Sequence, residues 1–261
     1  RLFDLLRLNG VTMIEAPRTP RGPDTQVLEA LLVKYRPRAL FINSFYHNPT
    51  GSSLAPVVAQ QVLQLTKAHG VLVIEDDVYA DLHSGPGTRL AAMGIDDNVI
   101  YVGSYSKTLS SSLRVGFVVA SDAIVSRLAE VKMISSMGVS MFCETVLACL
   151  LASGAYRKLV QRQRQRLNTD REAALQVLED ADWEVFGKPA GGLFIWARSR
   201  RSDFVQVHKQ ARRFGVLLSS ATAFSPDGET TDWQRINVAY ACDPRARAFF
   251  QATALNRPQT F

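Results

Sequence analysis

Gly103-Ser-Tyr-Ser-Lys-Thr-Leu-Ser-Ser-Ser-Leu-Arg-Val-Gly-Phe117 is the stretch whose reading decides the fold. The apolar run Val99-Ile100-Tyr101-Val102 precedes it and reads as a buried strand; a second apolar run, Val115 to Ala120, follows. Between them stand one lysine, five serines and one arginine. Hydroxyls on a turn beside a guanidinium make an anion site, because arginine grips phosphate with two parallel hydrogen bonds. A lysine inside such a site is expected to be desolvated and close to cationic groups. Both effects lower its pKa and free the amine to attack a carbonyl. The plain alternative is a strand end carrying a solvated lysine.

Working outward, the same arrangement recurs upstream. Ala39 to Asn43 is a short apolar run that delivers Phe45-Tyr46-His47-Asn48-Pro49-Thr50-Gly51. Val71 to Ile74 is another, and it delivers Glu75-Asp76-Asp77-Val78-Tyr79. Helical patterns separate them: Asp24 caps a segment running to about Tyr35, with Val27, Leu28, Leu31 and Leu32 on one face, and Pro56 opens a helix that Gly70 ends. Three strands, each reached through a helix or crossover, thus release polar residues at their C-terminal ends. Open parallel α/β sheets bind ligands along that edge, so the site is expected there.

Around this core, residues 1–9 read as a helix end, Val11 to Ala16 as a strand and Arg18 to Asp24 as a loop. Downstream, Asp122 to Ser135 reads as an amphipathic helix with Ile124, Val125, Leu128 and Val131 turned inward. Residues 140–151 form a second helix, and Ser153 to about Asp180 a long one. The long helix carries Arg157, Lys158, Arg162, Arg164, Arg166 and Arg171, read as a solvated face rather than as a DNA-binding surface, with Leu159, Val160 and Leu167 inward. Short strands follow at Trp183–Phe186, Leu193–Ala197, Val216–Leu218 and Ile236–Ala239, with two helices. The division expected is a large domain over 1–150 and a small α+β domain over 151–261.

Totals exclude several classes. The 261 residues suffice for one large or two small cores. At 47% hydrophobic and 21% charged the chain reads as ordinary soluble globular protein, and no run approaches the roughly 20 apolar residues of a membrane span. Cys143, Cys149 and Cys242 show no paired or metal spacing, which points to a reducing, cytoplasmic setting, and no metal site is visible among the four scattered histidines. The chain opens on Arg1-Leu2-Phe3 without a signal peptide or initiator Met and is expected to be a fragment. The net charge of +6 lies largely on the long helix.

Four motifs in order carry a resemblance that covers essentially the whole chain: Asn48-Pro49-Thr50-Gly51; Asp76-Asp77-Val78-Tyr79; Ser104-x-Ser106-Lys107 with Arg114-Val115-Gly116; and Arg235-Ile236-Asn237-Val238-Ala239. Together they resemble the fold-type-I, pyridoxal-phosphate-dependent aminotransferases. The resemblance implies an α/β fold with a large, mostly parallel sheet domain and a smaller α+β C-terminal domain, the N-terminal part of the fold being upstream of residue 1. It implies that Lys107 binds the cofactor's aldehyde and then moves a proton as general base and acid. By the same resemblance Asp76 would face the pyridine nitrogen and keep it protonated, and Tyr79 and Asn48 would hydrogen-bond the ring's 3-oxygen. Ser104, Ser106 and Arg114 hold the phosphate, and Arg235 takes a substrate α-carboxylate. It also implies a homodimer whose site is closed by both subunits.

Two branches of the family fit, and both stay open. Gly103 to Gly116, Ala190-Gly191-Gly192-Leu193-Phe194-Ile195-Trp196-Ala197, and Phe224-Ser225-Pro226-Asp227-Gly228 look more like the C-terminal domain of MocR-type, GntR-family transcription regulators. There the domain senses an amino acid or other amine-bearing effector, and DNA is read by an N-terminal winged helix. The other branch is a free-standing aminotransferase passing an amino group between an amino acid and a 2-oxo acid. Ser220-Ala221-Thr222-Ala223-Phe224 departs from the Pro-Gly that often precedes the small-domain phenylalanine, and Asp77 stands where many members have Glu.

Overall fold

A computed structural model describes residues 2–83, 87–93 and 98–255. Arg1, at the start of the expected first helix, and residues 256–261 of the expected C-terminal domain lie outside them. In chain order the elements are α1 (Leu2–Leu8), β1 (Arg18–Thr19), β2 (Gly22–Pro23), α2 (Thr25–Tyr35), β3 (Ala39–Ile42), α3 (Pro56–Ala68), β4 (Leu72–Asp76), a 3-10 turn at Ala80–Leu82, α4 (Leu90–Met93), β5 (Val99–Ser104) and β6 (Gly116–Val119). Then come α5 (Asp122–Ser136), α6 (Met141–Ala152), α7 (Ala155–Asp180), β7 (Trp183–Val185), β8 (Phe194–Ser199), α8 (Phe204–Arg213), a 3-10 turn at Ala221–Phe224, β9 (Gln234–Asn237) and α9 (Pro244–Leu255). The chain divides into two compact units: Arg21–His47 with Ser53–Arg166, and Arg1–Pro20 with Asn48–Ser52 and Leu167–Phe261.

The first of these units is built on a four-stranded sheet in the order β3-β4-β5-β6. β3, β4 and β5 run parallel, with Ala39 opposite Leu72 and Val73 opposite Val99; β6 returns antiparallel to β5, with Ser104 opposite Gly116. The helix before β3 and the helix between β3 and β4 begin and end where their capping residues stand. The Asp24 carboxylate accepts from the amides of Gln26 and Val27 at 3.1 and 3.2 Å, satisfying two donors of the first turn of α2. Pro56 occupies the first turn of α3, and Gly70 takes φ +64° just beyond its end. Leu28 and Leu32 of α2, Ala59 and Val62 of α3, and Val71 and Val73 at β4 are buried.

The second unit has a three-stranded antiparallel sheet, β7-β8-β9, with Ile195 opposite Ile236. Its core joins the C-terminal half of α7 (Ala174, Leu178) to Val207 of α8, Ile195 and Ile236 of the sheet, and Phe249 and Phe250 of α9. Trp183 lies edge-on to both phenylalanine rings, and its indole N–H donates to Thr253 Oγ1 at 2.9 Å, so its one polar atom is satisfied inside.

Arg18 to Asp24, expected as a loop, instead holds the two short paired strands β1 and β2, and three further expectations of local structure do not survive. Val11 to Ala16 is irregular, with Val11 and Ile14 exposed, and Val216 to Leu218 is a loop after α8, with Leu217 exposed. Alternation or apolarity alone does not make a strand; it needs a neighbour to hydrogen-bond, and neither segment joins a sheet. The expected inward face of α5 is uncovered: Val125, Leu128 and Val131 are 41%, 41% and 59% exposed, and α5 buries no residue. On α7, Val160 is buried and Arg157, Lys158, Arg162 and Arg166 are exposed, but the expected solvated face does not extend to Arg164, half-buried with its Nε donating to the Asp81 carbonyl, or to Arg171, buried with its Nη1 donating to Asn168 Oδ1 at 2.7 Å. No helix of the described residues is long and apolar enough to cross a membrane.

Candidate cofactor and substrate site

Three acids close β4, and the two-residue period of an extended chain sorts them to opposite sides. Glu75 and Asp77 point inward and are 0% and 1% exposed; Asp76 between them is only partly covered. Glu75 accepts from the amides of Leu90 and Ala91, each at 2.8 Å, and from the Ser44 hydroxyl. It therefore caps the short helix α4 from within the core and fixes the end of β3 to the end of β4.

Asp77 accepts from Arg89 Nε at 2.7 Å and from the Tyr101 hydroxyl at 2.9 Å, while its Oδ1 has no partner among the described residues. Burial pushes its carboxyl up to about 6 against the lowering pull of Arg89 and Tyr101. Burial, with the charge of Asp77, pushes the Tyr101 phenol up to about 12. Because the folded state holds the Asp77 proton more tightly than the unfolded chain, whose carboxyl titrates near 3.8, the contribution of Asp77 to folding stability falls as pH rises from about 4 to about 6 and is level above. Asp77→Asn should remove that part of the slope, worth up to about 3 kcal/mol at a rate of about 1.4 kcal/mol per pH unit. Urea unfolding of parent and variant across this range measures it; equal slopes would show that Asp77 ionises normally.

Asp76 is the one acid of the three that stays partly open to solvent. Burial raises its pKa, opposed by hydrogen bonds involving Val78 and Asn43 and by the charge of Lys107. The Val78 amide reaches Asp76 Oδ1 at 3.4 Å, and Asn43 Nδ2 donates to the Asp76 carbonyl at 2.8 Å, tying the β3 and β4 ends together a second time. Tyr79, three residues on, is buried and starts the 3-10 turn, its carbonyl accepting from the Leu82 amide at 2.9 Å.

One strand further along the sheet, β5 delivers the lysine turn. Ser104 Oγ accepts from the Ser106 amide at 3.1 Å, and the Leu109 amide closes the turn on the Tyr105 carbonyl at 2.9 Å. Lys107 rides on the outside of this turn. Its side chain is exposed, so the desolvation expected from the sequence is not present in the chain by itself. Arg114 has φ +53°, a left-handed conformation that only a few per cent of non-glycine residues take, and its exposed guanidinium has Nη1 3.5 Å from the Ser111 carbonyl.

The two remaining predicted residues belong to the other unit, where they meet each other. Arg235 of β9 donates through Nη1 to Asn48 Oδ1 at 2.8 Å and through Nη2 to Ser219 Oγ at 3.0 Å. Its guanidinium lies over the Phe194 ring at 4.3 Å and the Phe224 ring at 5.0 Å. Two aromatic faces and two acceptors fix a planar cation in one orientation. The pairing of Asn48 with Arg235 was not expected, and Ser219 was missed because nothing in its sequence context marks it.

The donor set in the first unit fits pyridoxal phosphate. A guanidinium and two hydroxyls suit a dianionic phosphate, a carboxylate suits a protonated ring nitrogen, a phenol suits a phenolate oxygen, and an exposed primary amine suits an aldehyde. Among the described residues, no cluster of three or more His, Cys, Asp or Glu could hold a metal ion.

The family model for class I and II aminotransferases matches residues 3–247. The chain belongs to that family. It is 32% identical over 210 residues to an HTH-type transcriptional regulator, YdfD, of Bacillus subtilis, covering 77% of this chain and 42% of that protein. It is 34% identical over 201 residues to 2-aminoadipate transaminase of Thermus thermophilus, covering 73% of this chain and 49% of the enzyme. The chain thus spans less than half the length of these relatives. Among solved structures it is similar to α-aminoadipate aminotransferase LysN of Thermus thermophilus, complexed with N-(5'-phosphopyridoxyl)-L-leucine, at TM-score 0.85 and 25% identity, covering 97% of this chain and 68% of that one. Kynurenine aminotransferase of Pyrococcus horikoshii shares the fold, at TM-score 0.88 and 22% identity over 97% of this chain and 66% of that one.

Proposed function

We propose that this chain is the pyridoxal-phosphate-binding, effector-sensing part of a MocR-type transcriptional regulator of the GntR family. The observation that carries the reading is the likeness to helix-turn-helix regulators: YdfD, and YisV of the same organism at 30% identity over 90% of this chain and 48% of that protein. In this reading DNA contact belongs to a winged helix upstream of residue 1, and the cofactor and an amine-bearing ligand bind here. The likeness to 2-aminoadipate transaminase supports a second reading, a free-standing aminotransferase with the same site.

Pyridoxal phosphate supplies an aldehyde that condenses with amines and a protonated ring that draws electrons from the ligand's Cα. The residues do the rest. Lys107 would hold the cofactor through Nζ, and its amine would serve as the base and acid that moves the proton at the ligand's Cα. Asp76 would keep the ring nitrogen protonated; burial raises its own pKa, against the opposing pull of Val78, Asn43 and Lys107. Tyr79 and Asn48 are assigned to the 3-oxygen, Ser104, Ser106 and Arg114 to the phosphate, and Arg235 to the ligand's carboxylate. A homodimer is part of the proposal. Phe117, Val119, Val131, Ile134, Met141 and Phe142, on β6, α5 and α6, leave apolar side chains exposed, which supports cover by a partner subunit or further chain.

The full-length protein decides between the two readings. Its affinity for DNA from its own promoter region, measured by fluorescence anisotropy, should change when pyridoxal phosphate and an amino compound are added, with little conversion of that compound to a 2-oxo acid. Repeated turnover to the 2-oxo acid by a protein that does not bind DNA would replace the sensor with the enzyme. Sedimentation at micromolar concentration should show a dimer; a monomer contradicts that part.

A further inference from the structure

The lysine turn is anchored from behind by a group that no motif marks. Thr108, next to Lys107, is 1% exposed although its neighbour faces outward. Its hydroxyl lies 2.7 Å from the phenol oxygen of Tyr156, in the first turn of α7. The same phenol donates to the Asp81 carboxylate, in the 3-10 turn that Tyr79 begins. A phenol has one hydrogen, so while Tyr156 gives it to Asp81, Thr108 must donate to Tyr156. The chain of donors therefore has a single direction, Thr108 to Tyr156 to Asp81. Arg164, two turns further along α7, donates through Nε to the Asp81 carbonyl at 2.6 Å, and the Tyr105 ring meets the Tyr156 ring edge-on at 5.5 Å. Burial, and then the Asp81 carboxylate, push the Tyr156 phenol well above its ordinary range, so it stays a donor at every physiological pH.

We propose that Tyr156 is a positioning residue for the candidate site. Through Thr108 and Asp81 it locks the turn that carries Lys107 to the turn that carries Tyr79, so that the amine and the phenol meet one cofactor at a fixed separation. The first turn of α7 thereby sets the relation between two turns that follow strands β4 and β5. A buried hydrogen-bond chain of this kind holds position because each member, if released, is left unsatisfied inside the protein. The inference rests on the assignment of Lys107 and Tyr79 to pyridoxal phosphate.

The test is the rate at which Lys107 of full-length apoprotein captures added pyridoxal phosphate, read by quenching with borohydride and quantifying the pyridoxyl-Lys107 peptide. Tyr156→Phe and Thr108→Val each remove one hydroxyl with little change of shape. Each should slow capture by roughly tenfold or more, since small misplacements of a reacting group carry large penalties. The double variant should be no slower than the slower single, because both break one chain. Thr108→Ser, which keeps the hydroxyl, should capture at the parent rate. A merely structural role would lower the melting temperature and leave the capture rate alone. If the parent is labelled on Lys107 and both single variants capture as fast as it does, or if their effects multiply, the locking role is wrong. If the parent is labelled elsewhere, the site assignment fails and the locking role falls with it.

Discussion

Arg235→Ala should weaken binding of amino acids by roughly 30-fold to several thousandfold, the equivalent of about 2–5 kcal/mol for truncating one side of a desolvated ion pair. The expectation comes from how the guanidinium is held. The Phe194 and Phe224 rings lie against it at 4.3 and 5.0 Å, and Asn48 and Ser219 accept hydrogen bonds from its two terminal nitrogens. Its plane and position are therefore set before a carboxylate arrives, and little ordering is left to oppose binding. Arg235→Lys should recover only a small part of the loss, because an ammonium is a point charge and cannot offer two parallel donors. Retention of pyridoxal phosphate should hardly change in either variant. The cofactor's absorbance reports that retention, and its change on titration with an amino acid reports ligand binding. An Arg235→Ala protein that titrates like the parent would mean that the natural ligand lacks a carboxylate there, which would favour an amine effector over an amino acid.

Asp76→Asn should leave the cofactor on Lys107 but slow proton removal from the ligand's Cα by on the order of a hundred- to a thousandfold, the usual effect of deleting one preorganised charge from a reacting centre. The amide keeps the side chain's shape and its acceptor for the Val78 amide but cannot hold a ring nitrogen in its protonated form. Exchange of the Cα hydrogen with deuterated solvent, followed by NMR, reads the step without requiring a complete reaction. Exchange at the parent rate would remove Asp76 from its assigned role. The same substitution at Asp77 should leave exchange unaffected, because that side chain is turned inward onto Arg89 and Tyr101.

The contrast between these two aspartates marks how far the sequence could be read. The apolar runs that became β3, β4 and β5 were legible because parallel strands are continuously hydrophobic, even though Phe41 of β3 is exposed among the described residues, and the polar residues that follow them fall where the strands end. The family motifs picked Asp76 over Asp77, and the alternation of the extended chain explains why: only one of two neighbours can face the edge. Partnerships across long separations were not legible. Nothing near Glu75 announces that it caps α4, and nothing near Tyr156 announces Asp81, 75 residues away. The pairing of Asn48 with Arg235 spans 187 residues and depends on the course of the chain between them. Errors ran the other way at Val11 to Ala16 and Val216 to Leu218, where apolar residues met no partner strand. On α5 the helical period was right, but its apolar face has no cover from the described residues.

Everything assigned to the site depends on which lysine carries the cofactor. Full-length protein purified with excess pyridoxal phosphate should be reduced with borohydride, digested and mapped by mass spectrometry. The prediction is a single pyridoxyl group, on Lys107, in the turn that follows β5. Label on a different lysine, or no label at all, would contradict it.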